Sequence, residues 1–229
     1  MKVGSRAVIV IAAVLTLVFL RLGFWQVSRL KDRKALNAEL ASRARHAAIP
    51  ISELPTDTAK AHYRRVDISG TYDYENEIIL TLRSRDGSPG VNIITPVRTR
   101  GGAALVVVRG WVYSPDGMTV DLARWREDST INGHGFIETF PGARRGRNQS
   151  PTHPNAFRWL DRSALEKRFH YAILPYYVVL TTPGDTTRNA PPRLSVPPMD
   201  EGPHQSYAIQ WFSFAAISII GTIIFLRRK

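Results

Sequence analysis

Gly202-Pro203-His204-Gln205-Ser206-Tyr207-Ala208-Ile209-Gln210-Trp211-Phe212 opens a run that carries no charge from Tyr207 to Leu226 and closes on Arg227-Arg228-Lys229. About 20 uncharged residues make roughly 30 Å of helix, the thickness of a bilayer's hydrocarbon core. The basic triplet behind it reads as a cytoplasmic stop. At its other end sits His204, with Tyr207, Ala208 and Trp211 at helical spacing behind it. This stretch predicts a second membrane helix over 207–226, and a site, if there is one, at its mouth.

The opposite end of the chain has a matching feature. Ala7 to Leu20 is nearly all apolar, and the apolar character resumes at Leu22-Gly23-Phe24-Trp25. No small-x-small cleavage site follows, so this reads as an uncleaved signal anchor over 7–25. Arg21 would reach the headgroups on its apolar stem, and Trp25 would be an interfacial anchor. Charges disagree about orientation. Arg29, Lys31, Arg33 and Lys34 follow the first span, whereas Arg227, Arg228 and Lys229 follow the second. Weighing the second more heavily puts both termini, 1–6 and 227–229, in the cytoplasm. Residues 26–206 then form an extracytoplasmic domain of a cell (inner) membrane protein.

Composition narrows the function. The 229 residues carry a net charge of +12 and no cysteine. Disulfides, thiolate metal sites, thiol catalysis and covalent CxxCH haem attachment are excluded. The arginines are scattered through strand-like segments, which reads as solvated surface and membrane flanks. Nucleic acid is not an expected partner of a chain held at both ends in a membrane.

Between the helices the period of the pattern changes. Gln26 to Arg45 keeps a helical look and continues the first helix, with Pro50 and Pro55 bracketing a linker. Tyr63–Tyr72 alternates like a half-buried strand, and Glu77–Leu82, Gly90–Arg98, Thr130–Phe140 and Tyr176–Thr182 are β-prone. Ala103–Tyr113 contains Ala104-Leu105-Val106-Val107-Val108, a run expected of a strand buried on both faces. Gly133 and Gly135 mark a bulge or bend. Met118–Asp128 stays ambiguous between short helix and loop, and Arg144, Arg145 and Arg147 lie in a Gly/Pro/Asn-rich loop. Asp161 caps a short helix to Arg168. Pro183–Pro203 is a tether. The expected fold class is α+β, with two transmembrane helices flanking an antiparallel β-rich domain, an open sheet or partly closed barrel, with short helices.

No P-loop, GxSxG elbow, HExxH or strand–GxGxxG–helix occurs, so the reading is not an enzyme. His204 would either ligate a haem at the membrane surface, or cap its helix or sit wet among the headgroups. Gln210, an amide inside the span, is expected to bond the first helix. Trp211, like Trp25, reads as an interface anchor, and Trp159 as core. Arg109-Gly110-Trp111-Val112 ends the apolar strand and packs under a turn.

Four segments resemble one family. Leu22-Gly23-Phe24-Trp25-Gln26-Val27-Ser28-Arg29-Leu30-Lys31 is similar to the helix exit of the SURF1/Shy1 family, with Arg33-Lys34 where that pattern has Trp-Lys. Arg109–Val112 resembles its RGWV strand end, and Asn155–Asp161 its N-x-W-x-x-D segment. His204–Phe212 resembles its H-x-x-Y-A-x-Q-W-F start of the second helix. The resemblance implies an assembly factor for a haem-copper terminal oxidase, cytochrome c oxidase above all. Bacterial relatives are thought to bind haem A and aid its insertion. Carried over, the cofactor-binding residues are His204, Tyr207, Gln210, Trp211, Trp25 and Gln26, with His204 on the haem iron. The implied partners are the oxidase catalytic subunit, haem A synthase and membrane lipids. The alternative is a cofactor-free membrane scaffold that stabilises oxidase subunit intermediates.

Overall fold

The uncharged run near the end of the chain forms helix α4, His204–Arg227, and the N-terminal run forms helix α1, Val3–Arg45. Helix α1 carries straight on past the apolar segment, as its helix-forming residues from Gln26 to Arg45 predict. The coordinates are a computed structural model that describes residues 3–55, 57–142, 144–181 and 190–228. Lys2, Thr182, Arg188 with the first third of the expected tether, and Lys229 lie outside the described residues. Both helices are long and apolar enough to cross a membrane, and only 6% of each apolar window is buried. A core helix of a soluble protein would be mostly covered, so these apolar faces look outward.

The chain divides into two compact units. The first comprises Met1–Ala41 with Pro198–Lys229, and holds α1 up to Ala41 and all of α4. Its two helices run antiparallel and meet along stripes of alternating four- and three-residue steps. On α1 the stripe is Ala12, Thr16, Phe19, Gly23, Gln26, Leu30, Arg33 and Asn37; on α4 it is His204, Ala208, Trp211, Ala215 and Ser218. A mean step of 3.5 residues keeps one seam facing a partner helix along its length. Small residues allow the approach. Ala208 and Ala215 are buried, and a Cβ on Gly23 would stand 2.7 Å from the Phe212 ring. Thr16 Oγ1 bonds its own helix at Ala12 O (2.7 Å) and crosses to Ser218 Oγ (3.0 Å).

The second unit, Ser42–Pro197, is built on one sheet, with a one-turn helix α2 (Thr58–Ala61) between its first two strands. Its long strands are β2 (Arg65–Tyr72), β3 (Ile78–Arg85), β4 (Ser88–Arg98), β5 (Ala104–Tyr113), β6 (Thr130–Thr139) and β8 (Ile173–Leu180). Two-residue strands β1 (Ile49–Pro50) and β7 (Ala156–Phe157) sit at its ends, in the order β1-β2-β6-β8-β5-β4-β3-β7. A further pairing of β2 with β4, Thr71–Tyr72 against Val97–Arg98, closes β2-β6-β8-β5-β4 into a barrel. The expected antiparallel sheet needs correcting. Most pairs are antiparallel, but β5 and β8 run parallel, as do the short pairs β1–β2 and β3–β7. Parallel neighbours need a long crossover. Here β6, the 141–154 loop, β7 and helix α3 (Arg162–Phe169) lie between β5 and β8 in the chain.

Strand β5 is buried on both faces, as its unbroken apolar run predicts. Leu105 and Val107 join residues of all five ring strands to fill the barrel. Ala104, Val106 and Val108 point the other way, under Phe157, Leu160 and α3 residues Leu165 and Phe169. Trp159, expected in the core, is only half-buried, and Leu160 takes that place. Asp161 caps α3 as expected, its Oδ1 accepting from Ala164 N at 3.0 Å. Asp161→Ala is expected to cost about 1 kcal/mol in chemical denaturation, the usual loss for such a cap. The glycines of β6 mark no bulge, since its pairing with β2 runs without a shift. Gly135 instead makes room, because a Cβ there would overlap the carbonyl oxygen of Val179 on β8. The ambiguous 118–128 segment contains a single 3-10 turn, Ala123–Trp125.

Candidate functional site

His204 owes its position to the turn before it. Asp200 Oδ1 accepts from Gly202 N at 2.8 Å, and Gly202 takes φ +70°, a left-handed conformation that a side chain would strain. Pro203 follows, and α4 begins at His204. The Asp200 carbonyl is held from α1 by Arg33 Nε (3.0 Å) and Asn37 Nδ2 (3.1 Å), and Lys34 pairs with Glu201 at 3.5 Å. Residues at the exit of the first helix therefore fix the start of the second. Arg33 and Lys34 are where this chain departs from the Trp-Lys pattern, and both are used here.

At this junction His204 Nδ1 lies 2.9 Å from Gln26 Oε1. Gln26 is buried at 8% exposure, and His204 is half-buried. Among the described residues His204 Nε2 has no hydrogen-bond partner. His204 also lines a cleft of about 340 Å³ with Arg29, Asp32, Arg33, Leu36, Asp200 and Gly202. That arrangement gathers an imidazole, two guanidinium groups and two carboxylates, Asp32 and Asp200, around a single opening, with Arg29 paired to Asp32 at 3.9 Å.

Of the six residues expected at a cofactor site, the structure brings His204 and Gln26 together. Trp211 lies on the same packed stripe of α4. It stacks on Phe19 at 5.9 Å and meets Phe214 edge-on, contacts not expected of it. Tyr207 and Trp25 are exposed, at 46% and 54%. Gln210 is exposed too, and among the described residues it makes no hydrogen bond to α1, contrary to expectation. Sequence reasoning missed Asn37 and Asp200. The four-and-three spacing of the α1 stripe, continued to Asn37, is the signal that could have found the first of them.

The other two motif segments sit in the second unit, one on the barrel strand β5 and the other at β7, outside the ring. Arg109, without exposed surface, donates to Glu77 Oε1 (2.7 Å), Glu127 Oε2 (2.8 Å) and the Trp125 carbonyl. Thr95 Oγ1 also donates to Glu77 Oε1, at 2.8 Å. Arg193 pairs with the same Glu127 and donates to Arg109 O at 2.8 Å. A strap around Pro191–Leu194 thereby lies against Gly110 and Trp111, with Trp111 N donating to Pro192 O at 2.9 Å. The motif, expected under a turn, packs instead against this extended strap. Asn155 accepts from Arg168 at 2.5 Å, so the third motif ties a loop to α3.

A family model described as the SURF1 family matches residues 13–216. The chain belongs to the SURF1 family. That match takes in the helix pair, the barrel, the buried Arg109 and the His204–Gln26 junction. A SURF1-like protein of Monosiga brevicollis is 26% identical, over 91% of this chain and 83% of its own. A SURF1-like protein of Rickettsia felis is 24% identical over 93% of each. The cytochrome oxidase assembly protein SHY1 of Saccharomyces cerevisiae is 28% identical over 48% of this chain and 29% of its own. The SURF1 resemblance read from four short motifs is borne out along nearly the whole chain.

Proposed function

We propose that this SURF1-family chain is a membrane-bound assembly factor for a haem-copper terminal oxidase, and that it carries haem A as transient cargo on His204. The yeast relative's name supports the oxidase part. The haem part rests on one observation: a half-buried imidazole at a cleft, with one nitrogen engaged and the other without a partner among the described residues. The donor set fits such cargo. A neutral imidazole is a common axial haem ligand, and Arg29 and Arg33 at the same cleft can pair with the porphyrin's carboxylates. A single histidine with a wet opening suits a carrier that must also release. In this reading both helices span the membrane, both termini are cytoplasmic, and the barrel stands on the other side, where it meets the oxidase catalytic subunit. The barrel's buried charges are already paired among themselves, which favours a scaffold over an enzyme.

The test is to purify the full chain in detergent from cells that make haem A and record its spectrum beside that of His204→Ala. The wild type is expected to carry a haem A band that the variant loses. Equal haem content in the two would remove His204 from the mechanism. Co-purification with oxidase subunits and no haem in the wild type would replace the carrier reading with a cofactor-free scaffold.

A further inference from the structure

We infer that Gln26 is a positioning residue that fixes the tautomer of His204, leaving Nε2 as the open nitrogen. The inference concerns the site of the carrier reading, and its use there rests on that reading. An amide oxygen only accepts hydrogen bonds. With Gln26 Oε1 at 2.9 Å from Nδ1, the neutral imidazole must therefore carry its proton on Nδ1. The lone pair is then on Nε2. A Cβ placed on Gly202 would stand 3.6 Å from Nε2, so this nitrogen borders the turn that lines the cleft.

The position of Gln26 is itself built. It follows Gly23 by one step of the α1 stripe, and the bare Gly23 backbone lets the Phe212 ring close against it. The Gln26 side chain is buried while its neighbour Trp25 is exposed. A glutamine buried in a helix seam needs a polar partner, and the imidazole supplies one 178 positions away. A ring held by a hydrogen bond at one nitrogen keeps one orientation and one tautomer. It is also a stronger electron-pair donor to a metal at the other nitrogen. The opposite amide orientation would put the proton on Nε2 and close that nitrogen to a metal, so the tautomer is the observable.

The experiment uses the full-length, haem-free protein in detergent with nitrogen-15 histidine, and reads the His204 imidazole by long-range proton–nitrogen NMR. His204→Ala assigns the signal. The wild type is expected to show the Nδ1–H form alone. Gln26→Met, which cannot accept through oxygen, is expected to lose that preference, and Gln26→Glu, again an acceptor, to restore it. In titrations with haemin, Gln26→Met is expected to bind about 10–100-fold more weakly, the usual effect of losing such a partner, and Gln26→Glu to recover. An Nε2–H form in the wild type, or an unchanged tautomer in Gln26→Met, would overturn the inference. Equal haemin binding by the wild type and His204→Ala would instead sink the carrier reading. The two failures are separable because the tautomer is read without haem.

Discussion

Arg109→Met is expected to destabilise the full-length chain by about 3–5 kcal/mol, the largest single-residue effect outside the helix pair. The cost comes from what the substitution leaves behind. Glu77 is 1% exposed and Glu127 15% exposed, and Arg109 is the cation between them. Its guanidinium also lies 5.0 Å from the Tyr72 ring centre and 5.2 Å from that of Tyr74, so no surface of the group is idle. Methionine fills the volume but, among the described residues, leaves Glu77 with only the partly exposed Arg126, at 3.7 Å, and Glu127 with Arg193 alone. Arg109→Lys is expected to fall between, because an ammonium cannot reproduce the fork that meets both glutamates and the Trp125 carbonyl.

Acidity provides a check on this cause. Burial pushes the Glu77 carboxyl above its ordinary range, against the lowering effects of the Thr95 hydroxyl and of Arg109. Folding thus favours protonated Glu77. Its contribution to stability is fully present below the unfolded value of about 4.3 and is lost as pH rises through the higher native value. Removing the Arg109 charge raises that native value further and moves the loss to higher pH. The deficit of Arg109→Met against the wild type should therefore shrink as the buffer is taken from about pH 8 to about pH 5. Denaturation followed by tryptophan fluorescence at several pH values measures it. A deficit independent of pH would show that lost packing, not the stranded carboxylates, sets the cost.

The sequence is informative where one segment decides its own state and poor where two distant segments decide together. Tyr207–Leu226 has only one good environment, so its helix could be read from composition. Leu105–Val108 has no polar side, so its burial on both faces could be read as well. Whether β8 runs parallel or antiparallel to β5 depends on the route taken by the residues between them, and no local period records that route. The same holds at the candidate site. Trp211 looks like an interface anchor because it lies near the end of an apolar run. It packs on Phe19 because the four-and-three stripes of α1 and α4 meet, which only pairing reveals. His204 stands out by its position at the mouth of the helix, whereas only a motif marks Gln26. Its partner was invisible until the seam between the helices brought the two side chains together.

Gly110→Val is expected to release the strap around Pro191–Leu194 while leaving the barrel folded. Strand β8 pairs with β5 only as far as Val108, so the β5 edge beyond it is free for another chain. The strap takes that edge: Pro192 O accepts from Trp111 N, and Arg193 donates back to Arg109 O. This close approach requires a residue without a side chain. A Cβ on Gly110 would stand 2.8 Å from Pro191 O, 2.9 Å from the Pro192 carbonyl carbon, and closer still to its oxygen. These are backbone atoms that cannot rotate aside, so either the strap leaves or β5 shifts. A shift of β5 would disturb the clusters on both its faces, whereas release of the strap gives up a few hydrogen bonds and the Arg193–Glu127 pair. Release is therefore the cheaper response, at about 1–3 kcal/mol. Its signature is local. Arg193, with a side chain 12% exposed in the native protein, becomes a trypsin site. Limited digestion of the detergent-solubilised chain should yield a fragment ending at Arg193 in Gly110→Val and not in the wild type. Gly101→Ala serves as the neutral control, since a Cβ there meets nothing closer than Thr99 Oγ1 at 3.8 Å. Digestion of Gly110→Val indistinguishable from wild type would mean that the barrel moves rather than the strap. Arg109 then could not keep its contact with Glu127, and Gly110→Val should show the pH-dependent deficit of Arg109→Met.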